Sequence, residues 1–333
     1  MFALHFCLIS IIYVAFVSSK IFNYNESLLE FLRQSCSQNE RILGTVKKRL
    51  YELIIDYIKL RKHEASHYLD QIKRTCMVSF VGDPNSLVKE ASLQVLIRII
   101  ETFKAEEIEP TIKPNDLIDK LLDEIKLRRP SATVKGAIWT LIGLLFKSYD
   151  KPAVQARKPE AQRILFIMLQ EHVRQDRPEF KAITGMLKGL QFSLEAGCTL
   201  DDTQLQNLFL VLKTVVRPID EVNNRGVMKA GMKMLSQHAA LFTDQIMRYA
   251  LDLIELALRL CVQENLEVRD TANEFLGAII KQISESLQPN QDLHVQLFKH
   301  IMEQFDDILQ SNDYRNIQLL SAIRAVGIFS KAI

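Results

Sequence analysis

The sequence predicts an all-α fold, an α-solenoid of stacked HEAT- or armadillo-like helix pairs, and three observations carry that prediction. Apolar residues recur at three- and four-residue spacing almost throughout, which is the period of one helical face, while period-two alternation is scarce. Helix breakers are few: 11 Gly and 9 Pro in 333 residues are about half the usual share, which excludes turn-dense all-β and collagen-like architectures. A weak pattern also returns along the chain as Val88-Lys89-Glu90-Ala91, Val134-Lys135-Gly136-Ala137, Val227-Met228-Lys229-Ala230 and Val268-Arg269-Asp270-Thr271-Ala272. Phe180-Lys181 and Ile317-Gln318 open comparable segments, so the steps are roughly 46, 46, 47, 41 and 49 residues, in or near the range of HEAT and armadillo repeats. One amphipathic helix pair cannot cover its own apolar face, so successive pairs stack and share a core.

Residues 1–24 form an apolar leader. Met1–Ser19 holds no Lys, Arg, Asp or Glu and ends in Val17-Ser18-Ser19, small residues of the kind a signal peptidase cuts after. Its n-region lacks the usual positive charge, so it is read either as signal-like or as a mis-assigned start. Residues 25–333 are expected to be one continuous solenoid, since no Gly/Ser linker or long charge block divides them. Within it the periodicity places helices at 28–37, 41–62, 65–80, 86–103, 115–128, 131–147, 160–175, 179–194, 203–216, 225–240, 244–262, 266–286, 291–310 and 314–331. The second of these is set by the stripe Val46, Leu50, Leu53, Ile54, Tyr57 and Ile58. That over 131–147 holds Trp139, the single tryptophan, within a core run. That over 266–286 comes nearest to a HEAT second helix, with Val268, Ala272, Phe275 and Leu276 inward. Asn223-Asn224 and Gln288-Pro289-Asn290 supply turn chemistry between helices.

Charge gives no global steering field: 42 Lys+Arg stand against 40 Asp+Glu. Any grip on nucleic acid must then be local, and the small basic clusters Lys47-Lys48-Arg49 and Arg128-Arg129 are candidates for a DNA or partner surface, beside Lys73-Arg74 and Arg157-Lys158. Their plainer reading is the charged rim of surface helices. No membrane association is expected. The cysteines Cys7, Cys36, Cys76, Cys198 and Cys261 contain no CxxC pair, so neighbours build neither a zinc site nor a redox motif.

His63-Glu64-Ala65-Ser66-His67 matches H-E-x-x-H, in which two histidines one helical turn apart bind zinc and the glutamate activates water; Glu90 could then be nominated as a third ligand. The flanking Lys59, Arg61 and Lys62 are the wrong setting, because such a helix normally excludes water with apolar neighbours, and the match reads as chance on a solvated turn. No metal ligand, catalytic residue or cofactor site is therefore assigned. Gly277-Ala278-Ile279-Ile280-Lys281 sits in a helical pattern with no glycine-rich loop ahead of it, and there is no D-F-G, G-x-x-x-x-G-K-[ST] or G-x-G-x-x-G. These absences exclude a phosphate cradle and a kinase centre from the chain.

The stretches Ile72-Lys73-Arg74-Thr75-Cys76, Ile99-Ile100-Glu101-Thr102-Phe103, Leu187-Lys188-Gly189-Leu190, Val216-Arg217-Pro218, His238-Ala239-Ala240-Leu241-Phe242, Met302-Glu303-Gln304-Phe305 and Ser321-Ala322-Ile323-Arg324-Ala325-Val326-Gly327-Ile328-Phe329 fall in collinear order. In these the chain resembles the amino-terminal helical-repeat region of the DNA-dependent protein kinase catalytic subunit family, among the phosphatidylinositol 3-kinase-related kinases. The resemblance implies a nuclear scaffold arm in non-homologous end joining of DNA double-strand breaks. Its implied partners are the Ku heterodimer, DNA ends and the remainder of a parent serine/threonine kinase whose catalytic domain lies far downstream, so that the chain is a fragment that catalyses nothing alone. Two other functions are carried beside it: a HEAT-repeat transport or assembly adaptor, and a secreted zinc hydrolase using His63, Glu64 and His67.

Overall fold

The computed structural model describes residues 44–174, 179–216, 225–261, 263, 265–286 and the single positions 299, 303, 306 and 327. Among them every regular element is a helix: α1 Gly44–Leu60, α2 Lys62–Ser66, α3 Leu69–Gly82, α4 Ser86–Thr102, α5 Ala105–Ile108, α6 Pro114–Arg128, α7 Ala132–Ser148, α8 Pro152–Gln155, α9 Lys158–Arg174, α10 Phe180–Glu195, α11 Asp202–Val216, α12 Arg225–Gln237, a 3₁₀ turn Ala239–Phe242, α13 Thr243–Arg248, α14 Ala250–Cys261 and α15 Leu266–Ser286. The fold is an all-α solenoid of helix pairs. None of the described helices is long and apolar enough to cross a membrane.

The helix boundaries have local causes. Asn85 caps α4, its Oδ1 accepting from the Leu87 amide at 2.9 Å, and Asp201 and Gln204 cap α11 reciprocally at 2.8 and 3.1 Å. Pro114 and Pro152 open α6 and α8, where a missing N–H costs nothing. The α10 helix ends at Gly197, whose φ of 77° lets the Cys198 amide turn back to the Ser193 carbonyl at 3.0 Å. The α6 helix ends less comfortably on Arg129, a side-chain-bearing residue at φ 43°.

The predicted helices from 41–62 through 266–286 each have a counterpart, with two differences. The predicted 244–262 is broken at Tyr249 into α13 and α14. The short α5 and α8 fall where the sequence suggested connections, and α2 overlaps the ends of the predicted 41–62 and 65–80, since a single turn is too brief to show a period. The helix placed at 28–37 and the turns at Asn223-Asn224 and Gln288–Asn290 lie outside the described residues, as do those at 291–310 and 314–331 apart from the single helical positions 299, 303, 306 and 327.

The described residues divide into two compact units, those up to Leu165 with Lys188–Cys198, and Phe166–Leu187 with those from Thr199 on. In the first, α1 packs on α4 and α4 on α7, while α3 and α6 pair with α4 and α7 from the other layer. The α7 helix is buried almost all round, Val134, Ile138, Trp139, Leu141, Ile142 and Leu145 each lying inside. It meets α10 backbone to backbone: a Cβ on Gly143 would strike the Gly189 carbonyl oxygen and stand 2.6 Å from its Cα, and one on Gly189 would strike the Trp139 carbonyl. In the second unit α11 packs on α12, and α12 and α14 both pack on α15 around Phe242, Phe275 and Leu235.

Candidate functional site

The first site to place is the H-E-x-x-H pattern. His63 and Glu64 lie in the five-residue α2, and His67 is the residue that caps it. Both imidazoles are exposed, set edge to face with their centroids 5.5 Å apart, and Glu64 stands 3.9 Å from Arg61. A zinc centre in a hydrolase would require a rigid helix, a third protein ligand and a dry wall. Among the described residues no group of three His, Cys, Asp or Glu comes together to hold a metal ion, Glu90 on α4 included.

The basic clusters have a different fate. Lys47 points inward from α1 and forms a 2.6 Å ion pair with Asp83, both side chains almost buried. Lys48 and Arg49 reach the same residue of their own helix, Glu52, at 3.8 and 2.5 Å. Arg128 donates to the Val81 carbonyl at 2.9 Å and lies 3.4 Å from Glu124. Arg129 is exposed and its guanidinium meets no partner among the described residues. Lys73 donates to the Thr111 carbonyl, Arg74 pairs with Asp70 at 2.7 Å, and Lys158 donates to the Ala196 carbonyl at 2.9 Å. Arg157 grips Asp119 through two parallel bonds of 2.6 and 2.7 Å, the fork geometry that makes an arginine–carboxylate pair strong.

Together these contacts form a ladder whose rungs join one repeat to the next. In the first unit Lys47–Asp83 and Lys89–Glu124 (2.8 Å) are followed by three rungs that join the same two stretches of chain, Lys126–Glu160 (2.6 Å), Arg157–Asp119 and Lys151–Glu109. Lys213–Asp252 (2.8 Å) and Lys229–Glu267 repeat the device in the second. Separations of 34 to 42 residues, mostly a little short of the repeat step, carry each rung from one helix pair to the next. The sequence held this signal as a lysine or arginine one repeat away from a carboxylate, but it becomes visible only once the repeat length is known to a few residues. The electrostatics follow the contacts: hydrogen bonding from Arg157 holds the Asp119 carboxyl below its ordinary range, Lys126 does the same for Glu160 and Lys229 for Glu267.

The buried groups outside the ladder behave as core. Burial pushes the Cys261 thiol up to about 12 and the Tyr57 phenol also up to about 12, which removes both from nucleophilic chemistry near neutrality. Cys198, half-buried, is raised for the same reason, with Lys158 opposing the shift.

A solenoid whose charges hold repeats in register, and whose residues assemble no reactive centre among those described, must be placed by ancestry rather than by chemistry. The family model described as DNA-PKcs, N-terminal, matches residues 15–332. The chain belongs to that family. Curated relatives named DNA-dependent protein kinase catalytic subunit are 25% identical over 319 residues in Mus musculus and 25% over 320 residues in Xenopus laevis, in both cases across 94% of this chain. The chain spans only 8% of the length of each of those relatives. Among solved structures, importin beta superposes with a TM-score of 0.56 at 16% identity, covering 91% of this chain and 39% of that one. The Kap95 complex with Nup1 gives a TM-score of 0.52 at 14% identity over 97% of this chain and 43% of that one. At such identities the likeness shows the fold alone. The match is to the N-terminal region, a small share of each relative's length, and not to the kinase for which those relatives are named.

Proposed function

We propose that the chain is the N-terminal scaffold arm of a DNA-dependent protein kinase catalytic subunit-like protein, serving double-strand break repair by non-homologous end joining in the nucleus. Its work is to present a helical-repeat surface to DNA ends, to the Ku heterodimer and to the rest of its parent chain. The observation that carries this is the family match along residues 15–332. The ladder supports a scaffold, because cations that lock successive repeats together hold a surface in shape rather than offering themselves to a ligand. Of the five basic candidates, Arg129 is the one with an exposed, uncommitted guanidinium at a helix end, and in this reading it is the first to meet a phosphate.

The test is a binding titration of the 333-residue chain against a fluorescent DNA duplex, bare or with its ends loaded with the Ku heterodimer. Tighter binding to the Ku-loaded ends, weakened by Arg129→Glu, is the expected result. Equal affinity for both would remove Ku from the reading, and binding to neither would remove end docking altogether.

A further inference from the structure

A crevice lies where α3, α4 and α6 converge. Its floor is apolar, built by Met77 of α3, Leu96 of α4, Ile112 ahead of α6 and Leu117 within it, and its rim carries Lys73, Lys113 and Lys120 with a single carboxylate, Asp116. The cavity of about 100 Å³ falls below the roughly 300–1,000 Å³ of small-molecule sites, which suits it to one inserted side chain rather than a whole ligand. The lysines are available in different ways. Lys73 is held at the rim by its bond to the Thr111 carbonyl, which uses one of its three N–H donors, and Lys113 and Lys120 are exposed with no side-chain partner among the described residues.

We propose that this crevice is a docking notch for an acidic peptide carrying one apolar anchor residue, the anchor entering between Met77 and Leu117 and the flanking carboxylates meeting Lys113 and Lys120. An apolar pocket ringed by charge is the layout by which interfaces take an anchor side chain. Charge complementarity selects acid: three ammonium groups face one carboxylate. The floor distinguishes a peptide from a nucleic-acid backbone, since a phosphate gains nothing from burying against leucine and isoleucine. The surroundings argue the same way. An adjoining cavity of about 520 Å³ shares Lys113 and Asp116 and is lined by Glu106 and by Glu109 in its pair with Lys151, so a polyanion continuing past the notch meets the Glu106 and Asp116 carboxylates, whereas a short peptide need not. The notch does not depend on the end-joining reading and can fail without it.

The experiment titrates the 333-residue chain into fluorescein-labelled nonapeptides of Asp and Glu around a central Leu, Ile, Met or Phe, with serine-centred versions and a short labelled DNA duplex alongside. At least one apolar-centred peptide binds, and its serine version binds about tenfold more weakly, the worth of burying one side chain. The Lys113→Glu/Lys120→Glu protein loses about tenfold in affinity for the peptide while melting at the wild-type temperature, and Lys113→Arg/Lys120→Arg retains binding. Binding by no peptide overturns the proposal. So does equal binding of the serine versions, or duplex binding that the charge reversal abolishes as fully as it abolishes peptide binding, which would make the notch a phosphate surface.

Discussion

The two units use the same rung chemistry, but two rungs of the first are almost buried on both sides whereas each rung of the second leaves its acid exposed. In the first, Lys47–Asp83 leaves the two side chains 10% and 7% exposed and Lys89–Glu124 leaves them 14% and 6% exposed. In the second, the acid of Lys213–Asp252 is 60% exposed and that of Lys229–Glu267 is 73% exposed. A charge pair removed from water is costly to leave half-made, whereas an exposed pair is replaced by solvent at little loss. The first unit accordingly holds two contacts that tolerate no vacancy, beside the exposed Lys126–Glu160, Lys151–Glu109 and Arg157–Asp119, and the second relies on its apolar stacking of α12 and α14 on α15.

The most severe way to break the first unit is at the α7–α10 crossing. Gly189→Ala places a methyl group on the Trp139 carbonyl, and backbone cannot rotate aside as a side chain can. A loss of more than about 3 kcal/mol is expected by chemical denaturation, with α7 drawn away from α10. Gly82→Ala sharpens the contrast, since nothing lies within 4 Å of its Cβ position and the melting temperature stays at or slightly above wild type.

Next in size is the buried rung. Lys47→Met keeps the length of the aliphatic stem and removes the charge, which leaves the Asp83 carboxylate enclosed with the Asn85 amide at 2.8 Å as its remaining partner among the described residues. We expect a cost of about 3 kcal/mol in denaturant titrations. Its counterpart in the second unit, Lys213→Met, loses an ion pair whose acid stays in water when unpaired, and a cation–π contact 4.0 Å from the Tyr249 ring centroid, for about 1 kcal/mol. Equal losses at the two positions would refute the burial argument.

Much of this architecture was legible in the sequence because a helical period of 3.6 and a repeat of some forty-odd residues are local and additive signals. Val134 to Phe146 announces a buried helix, and Leu187-Lys188-Gly189-Leu190 marks the family without saying what Gly189 does. That glycine's role is a matter of helix crossing, which no linear pattern encodes. The basic residues were the hardest to read. Lys47 stands beside Lys48 and Arg49 in the chain as one cluster, yet α1 turns Lys47 inward to Asp83 and leaves the others on Glu52, because neighbours on a helix point 100° apart. Arg129 was nominated for its charge, and what the sequence did not show is that it ends α6 in a left-handed conformation. Replacing it with glycine relieves a backbone penalty of about 1 kcal/mol, so Arg129→Gly should melt slightly higher while losing any phosphate contact.

The smallest expected effect is that of pH on the exposed, bidentate rung. Arg157 depresses the Asp119 carboxyl in the folded chain, so the pair stabilises above the unfolded aspartate value of about 3.9 and that contribution is lost as pH falls through the depressed folded value. Arg157→Gln removes the depression. The melting temperatures of wild type and variant should therefore differ by a small constant amount from neutrality down to about pH 4 and converge below it. Because Asp119 is half exposed, raising the salt concentration should shrink the difference at neutral pH as well. A gap that persisted undiminished on acidification would mean that Arg157 acts through its 3.0 Å bond to the Ala153 carbonyl, as a helix clasp, and not through the carboxylate.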